Sequence, residues 1–290
     1  MEKNINLSYL VVTRNKLPYL KVTLEKLISQ KKEDEDILVA DGQSSDGTKE
    51  YLAELKSLGR IDFYLSEPDV SVAHAINKLI LISKGSLLRF MADDDASHYQ
   101  SINACKEFMM KHPEIDLVNT EGGVLGSNGK LKALTYVNTF KEYKKNHIPF
   151  SFCELGMILR RTSIPLIGLR DPVFKRADME MSLRITSGMA KIAWYTGYSY
   201  VNIVTPQSAS KTLAKEMASE TDRLNKFYLG KNPDNFFVNK IKIIKNKVGM
   251  ILFKKNNRMV ELGSDWFSFL SSSEEWLEIK NKEITPEFIY

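Results

Sequence analysis

Residues 7–41, LSYLVVTRNKLPYLKVTLEKLISQKKEDEDILVAD, carry the pattern that decides the fold. The runs at 7–13 and 36–41 are short, apolar and rich in β-branched residues, which predicts two buried strands. Between them, residues 18–30 place apolar side chains at helical spacing, and Pro18 is typical of a first helical turn. The stretch therefore predicts a strand, a helix and a second strand.

The same alternation continues along the chain. Further strands are predicted at 61–66, 86–92 and 115–121, and further helices at 47–58, 72–83 and 101–112. Strands separated by helices imply an α/β fold with a mainly parallel central sheet covered by helices on both faces. Ligands of such sheets gather at the carboxyl ends of the strands, so polar residues at those ends become candidates for a site.

The second half of the chain is less regular. Residues 122–137 predict a hairpin with Asn128 and Gly129 in its turn, and 154–161 predict a strand. Residues 176–188 predict a helix and 191–204 one or two strands. We place a main domain at 1–204 and a helical, basic C-terminal extension at 205–290.

Composition indicates an ordinary globular protein, with 43% hydrophobic and 27% charged residues. Cys105 and Cys153 do not suggest a disulfide framework, so a reducing compartment is expected. No apolar run approaches the roughly 18 residues of a membrane span, and the first residues lack a signal pattern. We therefore expect a cytoplasmic protein, and the net charge of +5 does not require a nucleic-acid partner.

Residues 236–258 are basic and amphipathic, with lysines between apolar residues at helical spacing. Such a segment can lie on an anionic membrane surface, here the inner face of the cell membrane. The alternative is a helix that packs its apolar face on the main domain or on another subunit. A homo-oligomer is compatible with the second alternative.

Three adjacent carboxylates, Asp93, Asp94 and Asp95, directly follow the predicted strand 86–92. Like charges so close together repel one another, and a hard divalent cation, Mg²⁺ or Mn²⁺, is the simplest compensation. Mg²⁺ is typically held by one or two carboxylates plus substrate phosphates, which suggests a phosphate-bearing substrate. The alternative is a set of solvated loop and cap residues. Asp41 and the SEPD stretch at 66–69 follow two other strands and should lie on the same rim.

Four segments, in this order, resemble the donor half of glycosyltransferase family 2: YLVVTRN, ILVADGQSSDGT, SEPDVSVAHAINKLILISKG and LLRFMADDD. GMILRR and DPVFKRADMEMSLRITSG are similar to the acceptor side of that family. The resemblance implies the GT-A fold, with a donor half at 1–121 and an acceptor half at 122–204. It also implies inverting, metal-dependent hexosyl transfer from a nucleotide-diphosphate sugar, usually a UDP-sugar, to a saccharide or lipid-linked saccharide in cell-surface polysaccharide synthesis.

The resemblance also implies roles for individual residues. Asp178 falls on the catalytic-base position, and Arg184 falls on an acceptor-side arginine that could equally be a salt-bridge residue. Asp94 and Asp95 become the candidate metal ligands. The residues implied in donor binding are Thr13, Arg14, Asn15, Asp41, Ser44, Asp46, Glu67, Asp69, Asn77, Lys78 and Asp93. Taken alone, Asp41 and Asp46 read as a turn residue and a helix N-cap.

The chain departs from the family pattern at several positions. The family often has a glycine and an aspartate shortly after EPD, where this chain has Ser71, Val72, Ala73 and His74. His74 either acts near the donor sugar or phosphate or is a structural residue. Ala92 stands where many members carry the first aspartate of the metal motif. Two other functions remain open, a sugar nucleotidyltransferase and a catalytically inactive nucleotide-binding or scaffold domain. The first would normally carry a glycine-rich phosphate loop after strand 7–13, and no such glycines occur there.

Overall fold

The computed structural model describes residues 4–205, 208, 213–230 and 262–290. The strands are β1 Leu7–Thr13, β2 Glu35–Asp41, β3 Phe63–Ser66, β4 Leu87–Ala92, β5 Ala96–Ser97, β6 Leu117–Leu125, β7 Leu131–Leu134, β8 Ile158–Arg160, β9 Ile192–Ile203 and β10 Phe288–Ile289. The helices are α1 Leu17–Gln30, α2 Thr48–Ser57, α3 Val72–Ile82, α4 Tyr99–Lys111, α5 Val137–Asn146, α6 Ile164–Ile167, α7 Ala177–Ser187, α8 Ala214–Leu229 and α9 Leu262–Glu283.

Within the described residues, the strands form one sheet in the order β10-β9-β6-β8-β4-β1-β2-β3, and β5 and β7 pair with β9 and β6. Strands β1 to β4 are mutually parallel, and β9 is parallel to β6. Strand β8 runs antiparallel between β4 and β6. The predicted α/β fold with a mainly parallel sheet is confirmed.

Register brings three strand ends to one edge of the sheet. Thr13 of β1 pairs with Asp41 of β2, and Val12 pairs with Ala92 of β4. The loops that follow these strands therefore start side by side. This edge is where an open parallel sheet places its ligands.

The sequence of β1 is apolar without alternation because the strand is buried along its whole length. Tyr9 and Val11 face the core formed with α1 and α4, whereas Leu10 and Val12 face the core formed with α3. Helices thus cover both faces of the sheet at this strand. The continuous apolar run is the expected pattern for such a strand.

Three elements of the second half, α5, α6 and β10, were not predicted. The hairpin is present, with β7 paired to β6 and Gly129 at a φ of 70° in its turn, but it is followed by α5. Helix α5 buries Phe140 and Tyr143 against the core around Trp194, so tertiary packing defines it more than its own sequence does. Strand β10 was not predicted either, because its two paired residues are too few to form a pattern.

The C-terminal helix α9 packs directly on the sheet. Its residues Trp266, Leu270 and Leu277 are buried with Val201 and Ile203 of β9. The basic stretch 236–258 lies outside the described residues. Among those that are described, no helix is long and apolar enough to cross a membrane. Both cysteines are free thiols, as expected.

Candidate active site

The loops after β1 and β2 are hydrogen-bonded to each other. The backbone N–H of Asn15 donates to Ser44 Oγ at 2.7 Å, and the N–H of Ser45 donates to Asn15 Oδ1 at 2.8 Å. Asn15 and Gln43 adopt left-handed backbone conformations, with φ of 52° and 59°. Arg14 lies exposed beside them, in the same loop. Four predicted donor-binding residues, Thr13, Arg14, Asn15 and Ser44, thus lie together at the sheet edge.

Asp41 is fully buried at the end of β2. Its carboxylate accepts hydrogen bonds from the Ser44 N–H at 3.1 Å, from the Ser44 hydroxyl and from Ser66 Oγ at 2.6 Å. These donors compensate a carboxylate that has no cation beside it in the described hydrogen-bond network. Asp41 is therefore held in one orientation at the rim.

Asp46 joins the N-terminal ends of two helices. Its Oδ2 accepts from the N–H of Leu17 in α1 at 2.9 Å, and its Oδ1 accepts from the N–H of Thr48 in α2 at 3.2 Å. The Thr48 hydroxyl donates to the same Oδ1 at 2.6 Å. Although partial burial opposes them, these bonds lower the pKa of Asp46. Gly47 occupies the N-cap position of α2, so Asp46 caps that helix from the residue before it, and a donor contact through Asp46 stays a prediction.

The aspartate triplet has a cationic partner within the chain. Lys16 Nζ lies 2.6 Å from Asp94 Oδ2 and 3.3 Å from Asp93 Oδ1. Asp95 has different partners, since it accepts from the Ile203 N–H at 2.7 Å and from Asn202 Nδ2 at 3.1 Å. Of the two predicted metal ligands, only Asp94 shares a cation with a neighbouring carboxylate.

Electrostatics leave this cluster short of positive charge. Burial raises the pKa values of Asp93 and Asp95, and the charge of Asp94 raises both further. Burial alone would lower the pKa of Lys16, but the charges of Asp93 and Asp94 outweigh it and raise that pKa. Lys16 therefore pairs with Asp93 and Asp94, whereas burial and the neighbouring charge favour the protonated forms of Asp93 and Asp95.

The same carboxylate oxygens are the candidate ligands of a divalent metal. Within the described part of the chain, no three Asp, Glu, His or Cys side chains converge as a complete metal site. Two carboxylate oxygens, from Asp93 and Asp94, do converge on one cation. This set fits a hard divalent ion that takes its other ligands from substrate phosphates and water.

The backbone of the triplet is fixed from two sides. Thr23 Oγ1 of α1 donates to the carbonyl oxygen of Asp93 at 2.9 Å, and Trp266 Nε1 of α9 donates to that of Asp94 at 3.1 Å. Thr205 Oγ1 reaches the Asp94 carboxylate itself at 3.4 Å. The C-terminal helix is therefore part of the support of the candidate metal ligand.

The residues predicted around the SEPD stretch contact one another. Lys78 Nζ lies 2.6 Å from Asp69 and 2.7 Å from Glu67, and His74 Nδ1 lies 3.4 Å from Asp69. Ser71 Oγ accepts from the His74 N–H and so caps α3. Lys78 thus links both carboxylates, and a donor contact through these four side chains stays a prediction.

Asp178 lies half-buried in the first turn of α7. Its neighbours include Glu154, Tyr136 and Cys153. Burial raises the pKa values of these three side chains, and the charge of Asp178 raises them further. Arg170 opposes this rise at Glu154, to which its Nε donates at 2.8 Å. The predicted base therefore stands beside a buried ion pair.

Asn77 and Arg184 have structural partners. Asn77 Nδ2 donates to the carbonyl oxygen of Arg170 at 2.7 Å and its Oδ1 accepts from the Arg170 N–H at 3.1 Å, which ties α3 to the segment before α7. Arg184 donates to Glu180 at 2.8 Å, to the carbonyl oxygen of Leu169 at 2.9 Å and to that of Ile167. These contacts match the salt-bridge alternative for Arg184.

Sequence reasoning missed several side chains at this edge. They are Lys16, Thr23, Glu154, Arg170, Thr205 and Trp266. The excess charge of the triplet was a signal for a basic partner, and Lys16 follows a strand end on the same rim. Nothing in the sequence near Trp266 pointed to the triplet, since the two are more than 170 residues apart.

A comparison of the sequence with known families decides what this arrangement belongs to. The profile of glycosyl transferase family 2 matches residues 8–164, which is more than half of the chain. The chain belongs to glycosyl transferase family 2. The matched range includes the β1 and β2 loops, the SEPD stretch and the aspartate triplet, whereas Asp178 lies beyond it. No curated protein sequence matches the chain significantly.

Solved structures share the fold. A crystal structure of S. aureus TarS 1-349 in complex with UDP-GlcNAc matches with a TM-score of 0.60 at 14% identity, over 95% of this chain and 83% of that one. The mannosyltransferase PcManGT from Pyrobaculum calidifontis, in complex with GDP-Man and Mn²⁺, gives 0.56 at 14% identity, over 78% and 68%. A longer TarS chain matches with a TM-score of 0.55 at 16% identity. The match covers 78% of the present chain but only 43% of the TarS chain. The GT-A fold expected for this family 2 chain is thereby confirmed.

Proposed function

We propose that the chain is an inverting, metal-dependent glycosyltransferase that moves a hexose from a nucleotide-diphosphate sugar to a saccharide or lipid-linked saccharide. The observation that carries this proposal is the buried aspartate triplet beside the end of β1, where carboxylate oxygens of Asp93 and Asp94 converge on one cation. Family membership and the nucleotide sugars named for TarS and PcManGT support it. We infer UDP as the nucleotide.

The donor half supplies binding and orientation in this proposal. Asp41, held by Ser44 and Ser66, presents a fixed carboxylate to the nucleobase. Asp94, with Asp93 beside it, would hold Mn²⁺ or Mg²⁺. When bound, such an ion supplies charge neutralisation for the departing diphosphate. Asp95 stays a weaker candidate ligand because its oxygens already accept from β9.

The acceptor half supplies the base. Asp178 at the start of α7 would accept the proton of the acceptor hydroxyl as that oxygen attacks the anomeric carbon. The bond to the diphosphate breaks on the opposite face, so a single displacement inverts the configuration. No covalent nucleophile on the protein takes part. The Glu154–Arg170 pair and Tyr136 border the base and would line the acceptor side.

The cellular role is the most distant part of the proposal. We infer cell-surface glycan synthesis at the cytoplasmic face of the membrane, with the basic stretch 236–258 as the membrane contact. This inference rests on the amphipathic sequence alone, because that stretch lies outside the described residues.

A screen of nucleotide sugars, with and without Mn²⁺, tests the proposal. We expect one UDP-sugar to be hydrolysed or transferred only when metal is present. The variants Asp94→Ala and Asp178→Ala should abolish the reaction, whereas Asp222→Asn on exposed α8 should leave it unchanged. Release of pyrophosphate from a nucleoside triphosphate and a sugar phosphate would instead identify a nucleotidyltransferase. Absence of metal-dependent UDP binding in calorimetry would indicate an inactive domain.

A further inference from the structure

Lys16 occupies the position between the two carboxylates that the proposed metal site requires. We propose that Lys16 is a tethered counter-cation which exchanges with the divalent metal at Asp94 and then pairs with the diphosphate of the donor. This inference rests on the proposed function, because it assumes that a metal and a nucleotide diphosphate bind at this edge. It assigns a role to a residue that the family resemblance did not single out.

The contact distances make Lys16 and the metal mutually exclusive. An ammonium 2.6 Å from Asp94 Oδ2 takes the space that a metal bound to that oxygen would need. The same ammonium lies 3.3 Å from Asp93 Oδ1, so it blocks the second carboxylate as well. Two cations held at such short range repel each other strongly in a partly buried site. Entry of the metal therefore requires Lys16 Nζ to leave.

The side chain of Lys16 can move away from the carboxylates while its backbone stays fixed. Its carbonyl oxygen accepts from the N–H groups of Tyr19 and Leu20, which fixes it at the start of α1. The side chain makes no capping bond to the helix and remains 18% exposed. A four-carbon stem then lets the ammonium move within the rim while its tether stays in place.

A nucleoside diphosphate gives the displaced ammonium a new anionic partner. In the absence of the nucleotide, the metal must break the contacts of Lys16 with Asp93 and Asp94. The Lys16 ammonium then lies beside the bound metal without an anionic partner. When the nucleotide is bound, the ammonium can pair with phosphate oxygens, which are good partners for lysine. The metal and the nucleotide should therefore bind with positive coupling, and Lys16 should be the source of that coupling.

Titration of Mn²⁺ followed by electron paramagnetic resonance, with and without UDP, measures this coupling. We expect Lys16→Gln to bind Mn²⁺ alone about tenfold more tightly than the wild type, since glutamine can still donate to Asp94 but carries no charge. The gain in Mn²⁺ affinity on adding UDP should shrink by a similar factor. Lys21→Gln, an exposed lysine of the same helix, should match the wild type in both. Unchanged or weaker Mn²⁺ binding by Lys16→Gln would overturn the role of Lys16.

A second measurement uses the wild type and does not depend on the folding of a variant. Acetylation of Lys16, followed by mass spectrometry, should speed up when Mn²⁺ is added and slow down when UDP is added with it. A rate that Mn²⁺ does not change would also overturn the exchange. The two proposals fail in different ways: if the wild type binds no Mn²⁺–UDP at all, the proposed function is wrong, whereas normal wild-type binding with unaltered Lys16 behaviour refutes only the exchange.

Discussion

Substitution of Asp46 by alanine separates a structural role from a donor contact. The change removes the acceptor for the first N–H groups of α1 and α2 and for the buried Thr48 hydroxyl. Loss of a side-chain acceptor at a helix N-terminus costs about 1 kcal/mol. Because Asp46 serves two helices, the variant should lose about 2 kcal/mol in the free energy of unfolding. The thermal midpoint should fall by roughly 4–8 °C.

Urea unfolding followed by circular dichroism is the assay. Asp46→Asn keeps one acceptor oxygen and should lose about half as much, because the two helices bond to different oxygens of the carboxylate. Glu33→Ala, at an exposed position in the α1–β2 connection, should change stability by less than about 0.5 kcal/mol. If Asp46→Ala unfolds at the wild-type urea concentration but loses affinity for UDP, the capping interpretation is refuted and Asp46 contacts the nucleotide.

Three further predictions concern the proposed base, a buried ion pair and the C-terminal helix. Asp178→Asn should lower the transfer rate by about 10²–10⁴-fold with UDP affinity unchanged in calorimetry, since only the proton acceptor is lost. Lys106 is buried between Asp34 and the neighbouring Glu35, at 2.7 and 2.8 Å, and Lys106→Met should cost about 3–5 kcal/mol at pH 7. Burial alone would raise the pKa of Asp34, but bonds from Lys106 and Asn6 lower it. This part of the stabilisation is therefore present above about pH 4 and lost as the pH falls through the lower folded-state pKa. The urea midpoints of variant and wild type should differ by a constant amount above about pH 4 and converge below it. Trp266→Phe removes a buried hydrogen bond to the carboxylate loop and should cost about 1–2 kcal/mol in urea unfolding; an unchanged midpoint would contradict that support.

The sequence predicts the first strands of the sheet well because their signals are local. Strands β1 and β2 are continuous apolar runs that end at polar turn residues, and the structure places them within one residue of the prediction. The position of the triplet at the end of β4 is likewise a local inference. In contrast, α5 has few buried residues and depends on packing against Trp194, which the sequence around it does not reveal.

The partners of the site could not be predicted because they depend on topology. Lys16 reaches Asp94 only because β1 lies next to β4 in the sheet, and their separation along the chain is 78 residues. Asp95 was predicted as a second metal ligand, but the end of β9 supplies its hydrogen bonds from more than 100 residues away. Which carboxylate of an adjacent set faces a cation is thus decided by sheet order rather than by spacing.

The hydrogen bonds of the triplet also set an order of assembly during synthesis. Lys16 and Thr23 precede the triplet, so two of its partners are already present when Asp94 leaves the ribosome. Ile203 and Trp266 are made much later, and large chains fold as their parts emerge. Fragments that end before residue 203 should therefore fold β1 to β4 but leave the carboxylate loop unfinished. The rim has its complete set of hydrogen bonds only when the C-terminal helix has docked, because Trp266 supplies the bond to the Asp94 carbonyl oxygen.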